Sequence, residues 1–171
     1  VLFFINFHAN NYELVPTIKG DDGYYELSRG LLLGHGLSGD VDAPFSPNPL
    51  RTPVWPLFIA AILYFFKSYW AVLFAQILIG SVIPLLGMHI VNKIIPSIKI
   101  SIIVGLLLAL EPYSILFSFI FYTETFFIFL FFIFLLFFLG YFKNSTYRNI
   151  IWAALFIGLA THKKHTVQYI P

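Results

Sequence analysis

Three acidic side chains stand out in this sequence as groups that could do chemistry. Asp21 and Asp22 are adjacent in the segment GDDGYYELSRGLL, and Glu124 lies in FYTETFF between two apolar runs. A carboxylate in apolar surroundings is costly, so it commonly marks a functional site or a water-filled cavity. Carboxylates can act as general bases, as proton relays or as ligands of a cation. Simpler structural roles remain open, namely helix capping for the aspartates and an interfacial position for Glu124.

Basic residues form the second group of candidates. Arg51 stands beside two prolines in RTPVWP, and Lys163 and Lys164 belong to the cluster THKKH at the end of an apolar segment. Guanidinium and ammonium groups bind phosphate through charge-assisted hydrogen bonds. The same residues could equally anchor the chain at lipid head groups. The sequence contains no cysteine, no phosphate loop, no nucleophile elbow and no zinc-ligand spacing, which excludes thiolate chemistry and disulfides.

The composition of the chain is that of a membrane protein. Hydrophobic residues make up 59% of the sequence and charged residues 11%, and the mean hydropathy is +0.85. Soluble domains carry about 25% charged residues. The sequence therefore predicts an all-α integral-membrane protein. The net charge of +2 is too small to indicate nucleic acid as a partner.

Apolar runs and turn residues predict a series of helices. Residues 1–7 are expected to be the end of a first transmembrane helix, so we expect the chain to be the N-terminal part of a longer protein. Residues 8–69 are expected to form a long external loop that carries two surface helices, at about 22–34 and 54–66. A break is predicted at Glu111–Pro112, because proline interrupts a helix. Transmembrane helices are expected at 70–92, 100–117, 123–142 and 149–162.

The first surface helix is expected directly after the aspartate pair. Tyr24, Leu27 and Leu31 recur at helical spacing and would form its apolar face. Asp22 is available to cap the N-terminus of this helix, and Gly34 is available to end it. The pattern predicts a short amphipathic helix that lies on the membrane surface.

The distribution of charge predicts the topology. If residues 54–66 lie along the interface, the loops 92–99 and 143–149 share one side of the membrane. That side then carries four basic residues and no acid. If 54–66 crossed the membrane, Lys93 and Lys99 would lie outside, so the positive-inside rule favours the first arrangement. The long loop is then extracytoplasmic, and Asp21, Asp22 and Glu124 are predicted to reach the same outer face.

The order of the motifs adds a resemblance to a known family. DDGYYELSRGLL leads into a helix, RTPVWP gives an R-x-P-x-x-P pattern, and LLLALEP, YTETFFIFL and IIWAALFIGLATHKK follow. This order resembles the N-terminal part of the GT-C glycosyltransferases, within the protein O-mannosyltransferase and aminoarabinose-transferase-like superfamily and nearest its RgtA/B/C/D-like branch. The similarity covers nearly all 171 residues. Many relatives carry a basic residue followed by proline after GLAT, whereas HKKHTV lacks that proline.

The resemblance implies a multi-pass helical bundle in a membrane, with a bacterial inner or plasma membrane as the expected location. It implies transfer of a sugar from a polyprenyl-phosphate-linked donor to a glycan, lipid or protein acceptor on the outer face. Membrane lipids are the other expected partners, and nucleic acid is not one. The 171 residues alone are expected to be inactive, because the rest of the bundle would enclose the donor.

The resemblance also implies roles for individual residues. Asp21, four residues before Tyr25, takes the position of the general base, and Asp22 takes that of its acidic neighbour. Glu124 matches the acid of the second external loop. The resemblance implies no cofactor beyond a divalent metal, which the acids of the first loop hold in some branches. The cations that would stabilise the leaving phosphate are Arg51, Lys163 and Lys164.

Two other classes of function fit the same composition. A fragment of a transporter or flippase would use the carboxylates to relay protons or bind ions, and a non-catalytic membrane protein would use them for neither. Transporters place ionisable groups near the midplane on broken helices, whereas most acids here precede the first long apolar helix. The enzyme is therefore the favoured interpretation.

Overall fold

A computed structural model describes residues 23–40, 43–48, 51–120 and 122–161. These residues form seven α-helices and no strand, so the prediction of an all-α chain is confirmed for them. They belong to two compact units, the first ending at Val72 and the second beginning at Leu73. The helices are α1 Tyr24–Leu33, α2 Val54–Phe66, α3 Tyr69–Ile94, α4 Ile98–Ala109, α5 Pro112–Ser118, α6 Glu124–Asn144 and α7 Tyr147–Thr161.

Both ends of α1 are set by glycines. Gly34 adopts φ 82°, a left-handed conformation that ends a helix, and the N–H of His35 donates to the carbonyl of Gly30 at 2.9 Å. At the other end, Gly23 holds the cap position with φ 79°. The cap position therefore falls one residue after Asp22, the residue at which the sequence predicted it. Asp22 itself lies outside the described residues.

The first unit is held together by the packing of α1 against α2. Of the three residues of the predicted apolar face of α1, Tyr24 and Leu27 are buried and Leu31 is half-buried. The burying surface runs through Tyr25, Ser28 and Leu32, spaced i, i+3 and i+7, so the last turn buries Leu32 instead. The buried side chains of α1 are Tyr24, Tyr25, Leu27, Ser28 and Leu32.

Helix α2 presents a continuous buried stripe. Trp55, Ile59 and Leu63 recur every four residues, and their exposed fractions are 1%, 0% and 0%. The helix has 13 residues, which corresponds to about 20 Å. That length is below the roughly 30 Å of bilayer hydrocarbon. The bounds coincide with the predicted 54–66, while the position of α2 along a membrane interface stays a prediction.

The second unit contains the helices that could cross a membrane. Helices α3 and α6 are long and apolar enough to span, and α4 with α5 would make a third span bent by 53°. The expected break at Glu111–Pro112 is confirmed, so the predicted helix 100–117 is two helices rather than one. Helix α7 has 15 described residues and is apolar but shorter.

Glycines and aromatic rings bring the helices of the second unit together. A Cβ on Gly105 would overlap the side chain of Met88, so α4 approaches α3 closely at that point. Helices α6 and α7 form a hairpin, in which the ring of Phe137 stacks on Trp152 at 6.1 Å and on Phe156 at 5.7 Å between centroids.

Candidate functional site

Glu124 is the first residue of the long helix α6. The N-terminal end of a helix carries a partial positive charge, which favours a carboxylate at this position. The side chain is half-buried, and its Oε2 atom is fully buried. The carboxylate predicted from the sequence is therefore held at a helix end within the second unit.

Beside Glu124 lies a group of buried polar side chains, which we call the polar cluster: Gln76, Ser118 and Thr125. Their exposed fractions are 0%, 8% and 3%. Gly80, one turn after Gln76 on α3, lies where α3 approaches the end of α5 and the start of α6. A Cβ on Gly80 would lie 2.7 Å from Oγ of Ser118 and 3.5 Å from Cγ2 of Thr125. Buried polar side chains among membrane-spanning helices commonly serve a site or join helices.

The hydrogen bonds of the polar cluster are only partly complete. Oγ of Ser118 donates to the carbonyl of Ser114 at 2.8 Å, and Nε2 of Gln76 donates to two backbone carbonyls near the end of α5. Within the described residues, Oε1 of Gln76 and Oγ1 of Thr125 are buried without a hydrogen-bond partner. A buried polar atom without a partner costs about 1–3 kcal/mol. The cluster therefore retains hydrogen-bonding capacity for a polar group.

An apolar groove of about 600 Å³ opens between α3, α4 and α5. This volume lies in the range of small-molecule sites, roughly 300–1,000 Å³. Its lining includes Gly80 and Ser118, so one part of the groove adjoins the polar cluster. Ser81 also lines the groove, but its Oγ donates to the carbonyl of Ile77 on its own helix at 2.8 Å. The groove therefore offers mainly hydrocarbon to a ligand.

Glu111 lies in the break between α4 and α5 and is half-buried. Its Oε1 accepts from the N–H of Tyr113 at 3.0 Å, and its Oε2 accepts from the N–H of Ser114 at 2.5 Å. With Pro112 at the first helical position, Glu111 is the N-cap of α5. A residue that the sequence marked only as a helix breaker is thus a carboxylate with defined partners inside a bent candidate span.

Arg51 lies in the first unit, at the N-terminal end of α1. Its guanidinium carbon is 5.2 Å from the ring centroid of Tyr24, a cation–π contact that orients the charge. Tyr24 is the first residue of α1. Arg51 therefore stands beside the first residue of α1.

The loop that follows α1 is organised by Asp40. Its Oδ2 accepts from Oγ and N of Ser46 at 2.6 and 2.8 Å and from Oγ of Ser38 at 3.2 Å. The hydrogen bonds from Ser46 are the main cause that lowers the pKa of Asp40, and the bond from Ser38 adds to it. A Cβ on Gly30 would overlap the carbonyl of Ser38, so glycine at position 30 lets the loop lie against α1.

The structure describes two of the six predicted site residues. Glu124 belongs to the second unit and Arg51 to the first. The roles predicted for the other four, and the convergence of the acids on one face, stay predictions. The residues outside the described ranges are Asp21, Asp22, Lys163 and Lys164.

Sequence reasoning missed Gln76, Thr125 and the hydrogen-bonded role of Glu111. A signal existed for Gln76, because a single carboxamide interrupts the otherwise apolar segment WAVLFAQILIG. A signal existed for Glu111 as well, since an acid before proline is a good start for a helix. Thr125 carried no signal beyond its place next to Glu124.

Within the residues that the structure describes, no group of three or more His, Asp or Glu side chains could hold a metal ion. Comparisons with protein-family models, curated proteins and solved structures found no match for this chain. What the fold and site define is a class: the described part of the chain is all-helical, and two or three of its apolar helices are long enough to span a membrane. Within it, the buried polar cluster next to Glu124 adjoins an apolar groove.

Proposed function

We propose that this chain acts in a multi-pass GT-C-type glycosyltransferase of a bacterial inner membrane. The enzyme would move a sugar from a polyprenyl-phosphate donor to a glycan, lipid or protein acceptor on the outer face. One observation carries the proposal: the apolar groove between α3, α4 and α5 adjoins buried polar side chains next to Glu124. Such a site suits a substrate that has a long hydrocarbon chain and a polar head.

The proposed chemistry needs both kinds of charged residue. A carboxylate takes the proton of an acceptor hydroxyl while the hydroxyl oxygen attacks C1 of the sugar. The bond between C1 and the phosphate oxygen breaks, and polyprenyl phosphate leaves with additional negative charge. Cations near the phosphate stabilise that charge. In this scheme Asp21 is the base, Asp22 its neighbour and Glu124 the second carboxylate, while Arg51, Lys163 and Lys164 bind the phosphate.

Sugar transfer by the intact protein in lipid nanodiscs, with a polyprenyl-phosphate-linked sugar as donor, tests the proposal. Asp21→Asn should lower the rate by roughly 10²–10⁴-fold, because asparagine keeps the shape but cannot act as the base. Asp22→Asn should be milder, and Glu124→Gln should also slow transfer. Asp40→Asn is the matched control, since this loop carboxylate is hydrogen-bonded to serines, and its transfer rate should stay at the parental value.

Donor binding is measured separately for each variant, so that lost chemistry is distinguished from lost affinity. Transfer at the parental rate by both Asp21→Asn and Glu124→Gln would refute the assignment of the acids. Absence of transfer from the parental protein with a series of polyprenyl-phosphate sugars would refute the function itself.

A transporter or flippase is the second candidate, and the break between α4 and α5 favours it. Broken helices with ionisable groups are typical of transport sites, and Glu111 lies in a span bent by 53°. Proteoliposomes that contain the intact protein would then show proton-coupled flux that Glu111→Gln abolishes. Sugar transfer without such flux would exclude this candidate.

A further inference from the structure

The side-chain amide of Gln76 makes two hydrogen bonds to a part of the second unit that lies far from it in the sequence. Its carboxamide Nε2 donates to the carbonyl of Phe117 at 2.7 Å and to the carbonyl of Ile120 at 2.7 Å. Gln76 has an exposed fraction of 0%. Both hydrogens of the amide group are therefore hydrogen-bonded, and the side chain is buried from water.

The two carbonyls belong to the end of α5 and the connection that follows it. The last carbonyls of a helix have no partner within the helix. Helix α5 ends at Ser118, and the N–H of Phe119 donates to the carbonyl of Leu116. Phe117 and Ile120 lie on either side of this end, and Gln76 supplies hydrogen bonds to the carbonyls of both. In a low-dielectric interior such bonds are costly to lose.

The connection that Gln76 holds leads directly to Glu124. The carbonyl of Ile120 also accepts from the N–H of Tyr122 at 2.7 Å. The first turn of α6 follows at once, with the N–H of Phe127 donating to the carbonyl of Thr123 at 2.8 Å. Glu124 is four residues after Ile120, so a shift of the connection moves the start of α6 and its carboxylate.

We propose that Gln76 is a positioning residue: its carboxamide fixes the connection between α5 and α6 and thereby sets the place of the Glu124 carboxylate. The part of this inference that concerns sugar transfer rests on the proposed function. The part that concerns the connection and Glu124 does not.

Two substitutions separate hydrogen bonding from the filling of space. Gln76→Glu keeps the shape of the side chain but replaces the amide by a carboxyl group, which donates at most one hydrogen bond when protonated and none when ionised, so it cannot serve both carbonyls. Gln76→Met keeps the length and volume without any donor. Ser81→Ala is the control on the same helix, because its hydroxyl bonds only the carbonyl of Ile77.

The first readout is hydrogen–deuterium exchange of the intact protein in nanodiscs, measured by mass spectrometry over residues 117–124. Both Gln76 variants should exchange about tenfold faster there, the effect expected from losing two interhelical hydrogen bonds. Exchange in the α6–α7 hairpin and in the Ser81→Ala control should stay at the parental rate. Parental exchange over 117–124 in Gln76→Met overturns the proposal even if Gln76→Glu fails to fold.

The second readout is the reaction of Glu124 with dicyclohexylcarbodiimide, a hydrophobic reagent for carboxyl groups. Labelling of Glu124 should become faster in Gln76→Met, while labelling of Glu111 in the same molecules should not change. Equal labelling of Glu124 in the variant and the parent refutes the positioning role.

The third readout is kcat and donor KM for sugar transfer. Gln76→Met should lower kcat more than it raises donor KM, because most of the groove lining lies on α3 and α4 while the carboxylate at the start of α6 has moved. Changed exchange and labelling with an unaltered kcat would leave the connection supported and refute the role of Glu124 in transfer. A failure of the proposed function can thus be distinguished from a failure of this inference.

Discussion

Gly80 is the position where the closeness of α3, α5 and α6 can be tested most directly. A Cβ added there would lie 2.7 Å from Oγ of Ser118, a distance that real Cβ contacts do not reach, so Ser118 must move. Gly158 on α7 is the matched control, because a Cβ added there meets nothing within 4 Å. We therefore predict opposite effects of the same Gly→Ala change at two helical glycines.

The expected size of each effect follows from the surroundings. Gly→Ala in a helix interior stabilises by up to about 1 kcal/mol, and Gly158→Ala should approach this value. At Gly80 the new methyl group overpacks the contact, which costs about 1–3 kcal/mol. Moving Ser118 also weakens its hydrogen bond to Ser114, worth about 1 kcal/mol. Gly80→Ala should therefore be less stable than Gly158→Ala by about 2–4 kcal/mol.

Denaturant titration of the protein in detergent micelles, followed by helical circular dichroism, measures these free energies of unfolding. The double variant Gly80→Ala with Ser118→Ala tests the cause, because it removes the hydroxyl that the methyl group meets. Its stability should exceed that of Gly80→Ala alone, with a coupling energy of about 1 kcal/mol or more. Equal stabilities of Gly80→Ala and Gly158→Ala would refute the predicted packing, and the absence of coupling would refute Ser118 as its cause.

Two further predictions concern topology and pH. Cysteines introduced at Ser68 and Ser97 of the intact protein should react with an impermeant reagent from opposite faces, with position 68 outside; labelling of position 68 only from the cytoplasm would overturn the topology. The lowered pKa of Asp40 means that its hydrogen bonds stabilise the loop fully above the ordinary value of 3.8 and lose that effect as pH falls through the lower folded value. Amide exchange of Ser46, corrected for its intrinsic pH dependence, should accelerate in this acid range, and Asp40→Asn should remove the transition; a parental protein without the transition would contradict the prediction.

Features with local causes could be predicted from the sequence. The break at Glu111–Pro112 follows from the missing N–H and fixed φ of proline, whatever packs around it. The end of α1 at Gly34 follows from the left-handed conformation that glycine adopts without strain. The all-α, membrane-like character followed from composition alone.

Features that depend on neighbouring helices could not be predicted in the same way. The hydrogen-bond partners of Gln76 lie 41 and 44 residues later in the chain, so no local sequence pattern predicts these bonds. The choice of Leu32 over Leu31 on the buried face of α1 depends on how α2 packs against it. The cap position of α1 falls on Gly23 rather than Asp22, although aspartate is ordinarily preferred at a cap, so local preference alone does not decide where the helix begins.

The stacked rings of the α6–α7 hairpin also bear on the order in which this part of the chain is assembled. Only Ser145 and Thr146 separate the two helices. Because synthesis runs from the N-terminus, α6 leaves the ribosome first and brings the ring of Phe137 with it. Helix α7 then meets a partner whose ring at Phe137 already matches Trp152 and Phe156. Loss of the ring at position 137 should therefore show during synthesis, as a lower yield of folded protein, as well as in the stability of the hairpin.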